Sequence, residues 1–394
     1  MHTVMDAAQQ MKEELLEIRR TIHSHPEVGT CLPQTKALVM KKLREYGYEP
    51  QEICESGVVA VFNGAKSGKT LMLRADMDAL NIQEKADVPF ASKNGSMHAC
   101  GHDMHTTMLL GAAKLLKEHQ KEFAGSVKLV FQPNEEGFAG AKAMLSAGIL
   151  ENPKVDAGMA LHVSSGIPSG TILCGKGTTM AGCTFFRIKV RGTGCHGAMP
   201  DTGVDPINIA AHIYLSLQEI IAREIPPVAP AALTIGRFVA GESPNIIPGQ
   251  VLMEGSIRTM DQETGAYIYQ RIREIAQQTA VLFRGQAVVE ELCSVPPLKN
   301  DPGMVTKMAE YIRQIYDTEK VVLFENGGMG SEDFAIYTQQ IPSCYLLIGA
   351  GTSQENVAFG KPMHNECVVF NEDILPIGSA VFAHCAQKWL EDNR

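Results

Sequence analysis

The chain has 394 residues, beyond the size at which a single hydrophobic core keeps growing, so two domains are expected. Its 45% hydrophobic and 20% charged residues are those of a folded globular protein and argue against disorder. A formal charge of −9 with no run of lysine or arginine argues against nucleic acid or an anionic membrane as partner and favours small molecules.

The opening Met1-His2-Thr3-Val4-Met5-Asp6 has no basic stretch leading into an apolar one, and no segment reaches the apolar length of a membrane span, so a cytoplasmic protein is expected. Ten cysteines are scattered without a CxxC pair or disulfide-like spacing, which predicts mostly reduced, structural thiols. Residues 7–23 carry Met11, Leu15, Leu16, Ile18 and Ile22 at helical spacing, an amphipathic helix that ends before Pro26. His23 and His25 beside that proline read as a hydrogen-bonded helix end in preference to metal ligands. A second helix is predicted over 36–48, and short strands over 57–62 and 70–74. The latter strand runs directly into Asp76 and Asp78, at the edge where ligand sites of open α/β sheets gather; a capping role for both stays open.

Between Met97 and His105 stand one thiol, three imidazoles and a carboxylate. Cys100 and His102, two apart around a glycine, can converge on one divalent ion at a helix start, whereas the bland alternative is a polar loop. A helix over 106–119 with Met108, Leu109, Ala112, Leu115 and Leu116 on its apolar face follows, then a strand over 126–131 that leads into Gln132-Pro133-Asn134-Glu135-Glu136-Gly137. Adjacent carboxylates repel unless a cation takes up their charge or their side chains diverge, and for an isolated pair a solvated turn is the plainer reading. One of the pair can then bind the ion while the other takes a proton. A strand over 157–161 ends in His162, a third strand end with a ligand-type residue. Strands alternating with helices predict an α/β fold with a mostly parallel sheet flanked by helices.

From Cys183 the pattern changes to strand 184–190, helix 207–223, strands 232–239 and 251–259, helix 266–283 and strand 287–292, the order of a ferredoxin-like unit. The expected domains are a catalytic one over 1–182 and 294–394 and an inserted lid or dimerisation domain over 183–293. Beyond it come a helix over 302–316, a strand over 344–348, His364 in Pro362-Met363-His364-Asn365, and a closing helix over 374–390. Gly327-Gly328-Met329-Gly330 precedes the acidic Ser331-Glu332-Asp333 and would receive a phosphate poorly. The nineteen methionines are dispersed, with Met104 and Met108, at helical spacing, read as core; His105, His119, His212 and His384 are read as structural or surface residues, and His98 as a neighbour supporting the site.

Five motifs in order resemble the M20 metallopeptidase family: Arg74-Ala75-Asp76-Met77-Asp78-Ala79-Leu80, His98-Ala99-Cys100-Gly101-His102-Asp103, Gln132-Pro133-Asn134-Glu135-Glu136-Gly137, Cys195-His196-Gly197-Ala198-Met199-Pro200 and Ser331-Glu332-Asp333-Phe334. The resemblance is to the subgroup holding hippurate hydrolase, bacterial N-acyl-amino-acid hydrolases and plant auxin-conjugate hydrolases, and it runs from the first helix to the last. It implies a zinc-peptidase-like catalytic domain in which Cys100, His102, Glu136, His162 and His364 hold two divalent ions per subunit, zinc or manganese, with nickel or cobalt as further options. Glu135 matches the general base. His196 matches a histidine that stabilises the oxyanion in the neighbouring subunit's site, and Asn245 and Arg258 match positions around the substrate carboxylate. The implied partners are a small N-acyl amino acid and a second subunit, joined through the inserted domain.

Ser164, Ser165, Cys195 and Asp201 depart from the usual pattern and leave the acyl and side-chain preference open. The expected activity is cleavage of an N-acyl amino acid into a carboxylic acid and an amino acid. The alternatives are a dipeptidase or carboxypeptidase of the same chemistry, a Cys100–His102 thiol enzyme, and a non-catalytic binder.

Overall fold

The structure is a computed structural model that describes residues 4–120 and 123–393, so that Met1, His2 and Thr3 at the opening lie outside it. The chain divides into two compact units: Met1–Gly177 with Lys299–Asn326 and Asp333–Arg394, and Thr178–Leu298 with Gly327–Glu332. In chain order the elements are α1 (Val4–Gln10), α2 (Lys12–Ser24), α3 (Pro33–Glu45), β1 (Gln51–Ile53), β2 (Gly57–Asn63), β3 (Lys66–Asp76), α4 (His102–Glu118), β4 (Ala124–Gln132), α5 (Gly140–Ser146), β5 (Ala157–Ser164) and β6 (Ile172–Gly175). Then follow β7 (Gly177–Met180), β8 (Gly182–Arg191), β9 (Cys195–His196), α6 (Pro206–Glu219), β10 (Ala231–Ala240), β11 (Ile246–Ile247), β12 (Gln250–Thr259), α7 (Gln262–Leu282) and β13 (Gln286–Val295). The last are β14 (Leu298–Asn300), α8 (Pro302–Ile312), β15 (Val321–Phe324), α9 (Ala335–Thr338), β16 (Ser343–Gly349) and α10 (Leu375–Asp392).

In the first unit an eight-stranded sheet runs β1-β2-β4-β3-β5-β16-β6-β15. Its centre is parallel, β4 with β3, β3 with β5 and β5 with β16, while β1, β2 and β6 join antiparallel. The central strands are apolar on both faces, as Val127, Leu129, Val130 and Phe131 of β4 show by being wholly buried, because helices cover the sheet on either side. Parallel neighbours end on one edge, and that edge receives every chemistry-bearing loop of this unit.

Local sequence explains most element ends. Asp301 caps α8 through the Met304 N–H with Pro302 in the first turn. The helix predicted at 36–48 starts at Pro33, and its first free N–H groups, Gln34 and Thr35, are taken by the Glu27 carboxylate from outside the helix. The single helix predicted over 7–23 is two, broken at Met11, where the N–H reaches back three residues to Ala8. Neither proline nor glycine marks that break, so periodicity could not find it. α4 is buried almost all round and starts at His102, four residues earlier than predicted. Its cap, Gly101, has φ +82, and a Cβ there would stand 2.3 Å from Val163 Cγ2. Only glycine satisfies both conditions between Cys100 and His102.

In the second unit β10-β12-β8-β13 form an antiparallel sheet. With α6 and α7 this is the β-α-β-β-α-β order of a ferredoxin-like unit, with its own core of Phe186, Ile188, Ile213, Leu217, Met253 and Ile272. Asp205 and Asp261 cap α6 and α7 through side-chain acceptance of N–H groups. No helix among the described residues is long and apolar enough to cross a membrane.

Candidate metal centre

The carboxyl ends of four neighbouring strands and the start of α4 bring the acidic, imidazole and thiol residues of the first unit together. Among the sets of potential ligand atoms that lie within 4.8 Å of one another, three are built from the residues read as ligands together with Glu135: Cys100, His102 and His162; Cys100, Glu136 and His364; and His102, Glu135 and Glu136. Cys100 Sγ belongs to two of them, 3.6 Å from His162 Nε2 and 3.3 Å from His364 Nε2. His364 Nε2 in turn stands 3.2 Å from Glu136 Oε1. Thus all five residues read as ligands are gathered around one shared sulfur, with Glu135 at their side. His364 holds a left-handed backbone, φ +63, as does Asn134, φ +57, immediately before Glu135; such conformations cost energy at non-glycine residues and are held by their surroundings.

A fourth group, Asp76, His102 and His105, meets the same distance test, but its imidazole is committed elsewhere. His105 Nε2 accepts the Val163 N–H at 2.9 Å, which fixes the ring proton on Nδ1, and that donates to Asp76 Oδ1 at 2.6 Å. His105 therefore supports the site from within. The sequence reading gave it no part in the site; its three-residue spacing from His102, which places both on one helix face, was the available indication. His162 is prepared in the opposite sense. Its Nδ1 donates to Val163 O at 2.6 Å, leaving Nε2 with a lone pair toward Cys100.

Charge and burial test whether a cation suits these residues. His102 is wholly buried, and among the described residues neither ring nitrogen has a hydrogen-bond partner, although Nδ1 lies 3.4 Å from Asp78 Oδ1. Two buried, unsatisfied imidazole nitrogens are costly unless something binds them. The electrostatics divide the rings: contacts with Cys100 and Glu136 push His364 up to about 10, while burial and then the neighbouring His105 hold His162 well below the ordinary imidazole range, and burial and Glu136 push the Cys100 thiol up. Burial alone would keep His102 neutral, yet Asp76 and Cys100 raise it well above the ordinary imidazole range. A site that draws in protons this strongly also suits a divalent ion, and thiolate, imidazole and carboxylate are the donor types of zinc-like and first-row ions.

Residues beyond the ligand types hold the centre in place. Asp78 accepts the N–H groups of Glu135 at 2.9 Å and Glu136 at 3.1 Å, fixing the backbone of the acidic pair. This decides against Asp78 as a simple cap. Arg74, buried, pairs with Asp76 and Asp333 and donates to Gln132. His23 is buried against Asp103 and Glu84, at 2.7 and 3.0 Å, and His25 bonds to Thr21 O, so both keep structural roles. His98 is buried beside them, with neither ring nitrogen hydrogen-bonded among the described residues.

His196, Asn245 and Arg258 belong to the second unit. His196 Nδ1 accepts the Ala198 N–H at 3.0 Å, so the neutral ring carries its proton on Nε2 as a free-standing donor. The β9–β11 pairing sets His196 opposite Ile246, beside Asn245, and both polar residues are exposed. Arg258 NH1 donates to Met329 O and Ser331 Oγ, each at 3.0 Å.

A mostly parallel α/β sheet with thiol, imidazole and carboxylate donors gathered at its carboxyl edge, and a ferredoxin-like insertion, are the features of the metal-binding hydrolase class. Residues 72–388 match the model of peptidase family M20/M25/M40, and the chain belongs to that family. It is a hydrolase of amide bonds. It is 37% identical to the Arabidopsis thaliana IAA-amino acid hydrolase ILR1-like 4, over 95% of this chain and 86% of that one. It is 35% identical to thermostable carboxypeptidase 2 of Saccharolobus solfataricus, over 98% and 99%, and 34% identical to the N-acetylcysteine deacetylase of Bacillus subtilis, over 96% and 97%. A solved Bacillus subtilis structure, a dinuclear metal-binding peptidase of the M20 family, superposes with a TM-score of 0.81 at 33% identity, covering 97% of this chain and 99% of that one.

Proposed function

We propose that this protein cleaves N-acyl amino acids at the amide bond, using two divalent ions held by Cys100, His102, Glu136, His162 and His364. The observation that carries this reading is the Cys100 sulfur shared by two ligand groups, with Glu135 adjoining them. Zinc and manganese suit the mixed thiolate, imidazole and carboxylate set, and nickel and cobalt are alternatives. When bound, such ions supply Lewis acidity, polarising a carbonyl oxygen and lowering the pKa of water.

The chain's own groups do the rest. Glu135 takes a proton from the attacking water and passes it to the leaving amine. His196 offers its Nε2 proton, in the neighbouring subunit's site, to the negative charge that builds on the amide oxygen. Arg258 and Asn245 receive the carboxylate of the amino acid, the guanidinium through two parallel hydrogen bonds, and so keep the scissile bond in register.

The protein acts as a homodimer joined through the second unit. β10 is an edge strand there, and Tyr214, Leu215, Phe238 and Val239 on α6 and β10 are exposed, an apolar edge suited to a second copy. The cytoplasm suits a chain whose ten cysteines are all free thiols.

The test is amino-acid release from N-acetyl, N-benzoyl and longer N-acyl amino acids alongside dipeptides, with added zinc or manganese, with chelator, and with Glu135→Ala. Cleavage of the conjugates, lost with chelator and in the variant, is the expected result. Cleavage of dipeptides alone would transfer the assignment to the peptidase reading, the activity named for the Saccharolobus relative.

A further inference from the structure

Asp333 is completely buried and lies 198 positions from Glu135, yet its backbone N–H donates to Glu135 Oε1 at 3.2 Å. The Asp333 carboxylate is locked on every side. Oδ1 accepts from Arg74 NH2 and Gln132 Nε2, both at 2.8 Å, and Oδ2 accepts from Gln132 Nε2 and the Ala141 N–H, also at 2.8 Å. The Gln132 amide has only one workable orientation, because its Oε1 accepts from Arg74 Nε at 3.1 Å and from the Tyr337 hydroxyl at 3.0 Å. Four elements, β3, β4, α5 and α9, thus fix the place of a single peptide N–H. From the other side Asp78 holds the Glu135 N–H. The remaining Glu135 oxygen, Oε2, lies 3.9 Å from His102 Nε2, on the side of the ligand cluster.

We propose that Asp333 is the positioning residue of Glu135: its carboxylate, braced by Arg74, Gln132 and Tyr337, holds its own N–H against Oε1 and thereby reserves Oε2 as the oxygen that handles the proton. This rests on the reading of Glu135 as general base. A carboxylate free to rotate would offer either oxygen at varying distance, and small misplacements of a catalytic group cost large factors in rate. The bracing also explains why an arginine, a glutamine and an aspartate are buried together: each has its partners within the network, the condition under which buried polar groups are tolerated.

The contact is tested first without turnover. Hydrogen exchange read by mass spectrometry on the metal-free protein should show the Asp333 amide protected, and at least about tenfold faster exchange of that amide in Glu135→Ala; equal protection in both would remove the contact and the proposal with it. The function is tested with Asp333→Asn and with Tyr337→Phe, the second of which keeps the packing if the first fails to fold. Expected are a kcat reduced by about 10- to 100-fold in Asp333→Asn and several-fold in Tyr337→Phe, with KM and bound metal unchanged. An unchanged kcat in folded Tyr337→Phe and Asp333→Asn, or a loss matched by loss of metal, overturns the positioning role. If the wild type cleaves no N-acyl amino acid, the assigned activity fails while the exchange result still decides the contact.

Discussion

His105 stands between two imidazoles of the cluster, its ring centre 5.4 Å from that of His102 and 4.1 Å from that of His162. Both its nitrogens are engaged by Asp76 and the Val163 N–H, so it transmits the position of β3 to the strand that carries His162. His105→Phe would fill the space but leave a buried carboxylate oxygen and a buried N–H unpaired, at a cost of about 2–3 kcal/mol. Urea unfolding should show that loss, and metal titration a weakening of about 10- to 100-fold, as expected when a group that orients ligands is removed. A variant with the wild-type midpoint and affinity would refute the linking role. Ligand-type residues such as Cys100 and Glu136 were legible from their chemistry and their place after strands. His105 was not, because its commitment depends on an N–H of a strand 58 positions away.

At the scale of the element, α10 shows how burial leads in setting a titration. His384 sits on this helix with 8% of its surface exposed and its Nε2 without a hydrogen-bond partner among the described residues. Burial first, then the neighbouring Lys388, push it down to about 4 from the ordinary 6.5, against weaker opposite pulls from Glu391 and the Tyr311 backbone. The folded state therefore holds the ring neutral where the unfolded chain binds a proton. The stability this residue permits is fully present above about 6.5 and is lost as pH falls toward about 4. Melting temperatures measured from pH 7 to pH 4.5 should fall less steeply in His384→Gln than in the wild type; parallel curves would remove His384 as a source of acid sensitivity. The same scale shows where periodicity reaches its limit. α10 and α4 were legible from apolar spacing, while the start of α3 was displaced because its N–H groups are capped by Glu27, seven and eight residues away.

For the whole molecule, binding of ions to the folded state alone must raise its stability by mass action. Chelation should lower the melting temperature, and added zinc or manganese should restore both the melting temperature and the activity; a melting temperature indifferent to chelator would speak against resident ions. The proposed dimer is checked by sedimentation equilibrium. The wild type should have twice the mass of the chain, and a charge at the apolar edge, as in Leu215→Arg, should return it to the monomer. Leu215 is 65% exposed in the isolated chain, so the substitution burdens no core. A monomeric wild type would end the proposal of a subunit-crossing role for His196.

The sequence by itself determined the alternation of strands and helices, the ferredoxin-like order of 184–292, and the set of thiol, imidazole and carboxylate residues at strand ends. These are local properties: side-chain period, turn residues and the chemistry of short motifs. Only the tertiary structure decided which donors share Cys100, that His105 is engaged and His162 prepared, and that Asp333 reaches Arg74 across 259 positions and Glu135 across 198. The physical reason is that a hydrogen bond is specified by distance and direction to within a few tenths of an ångström, whereas periodicity specifies only which face of an element a residue occupies.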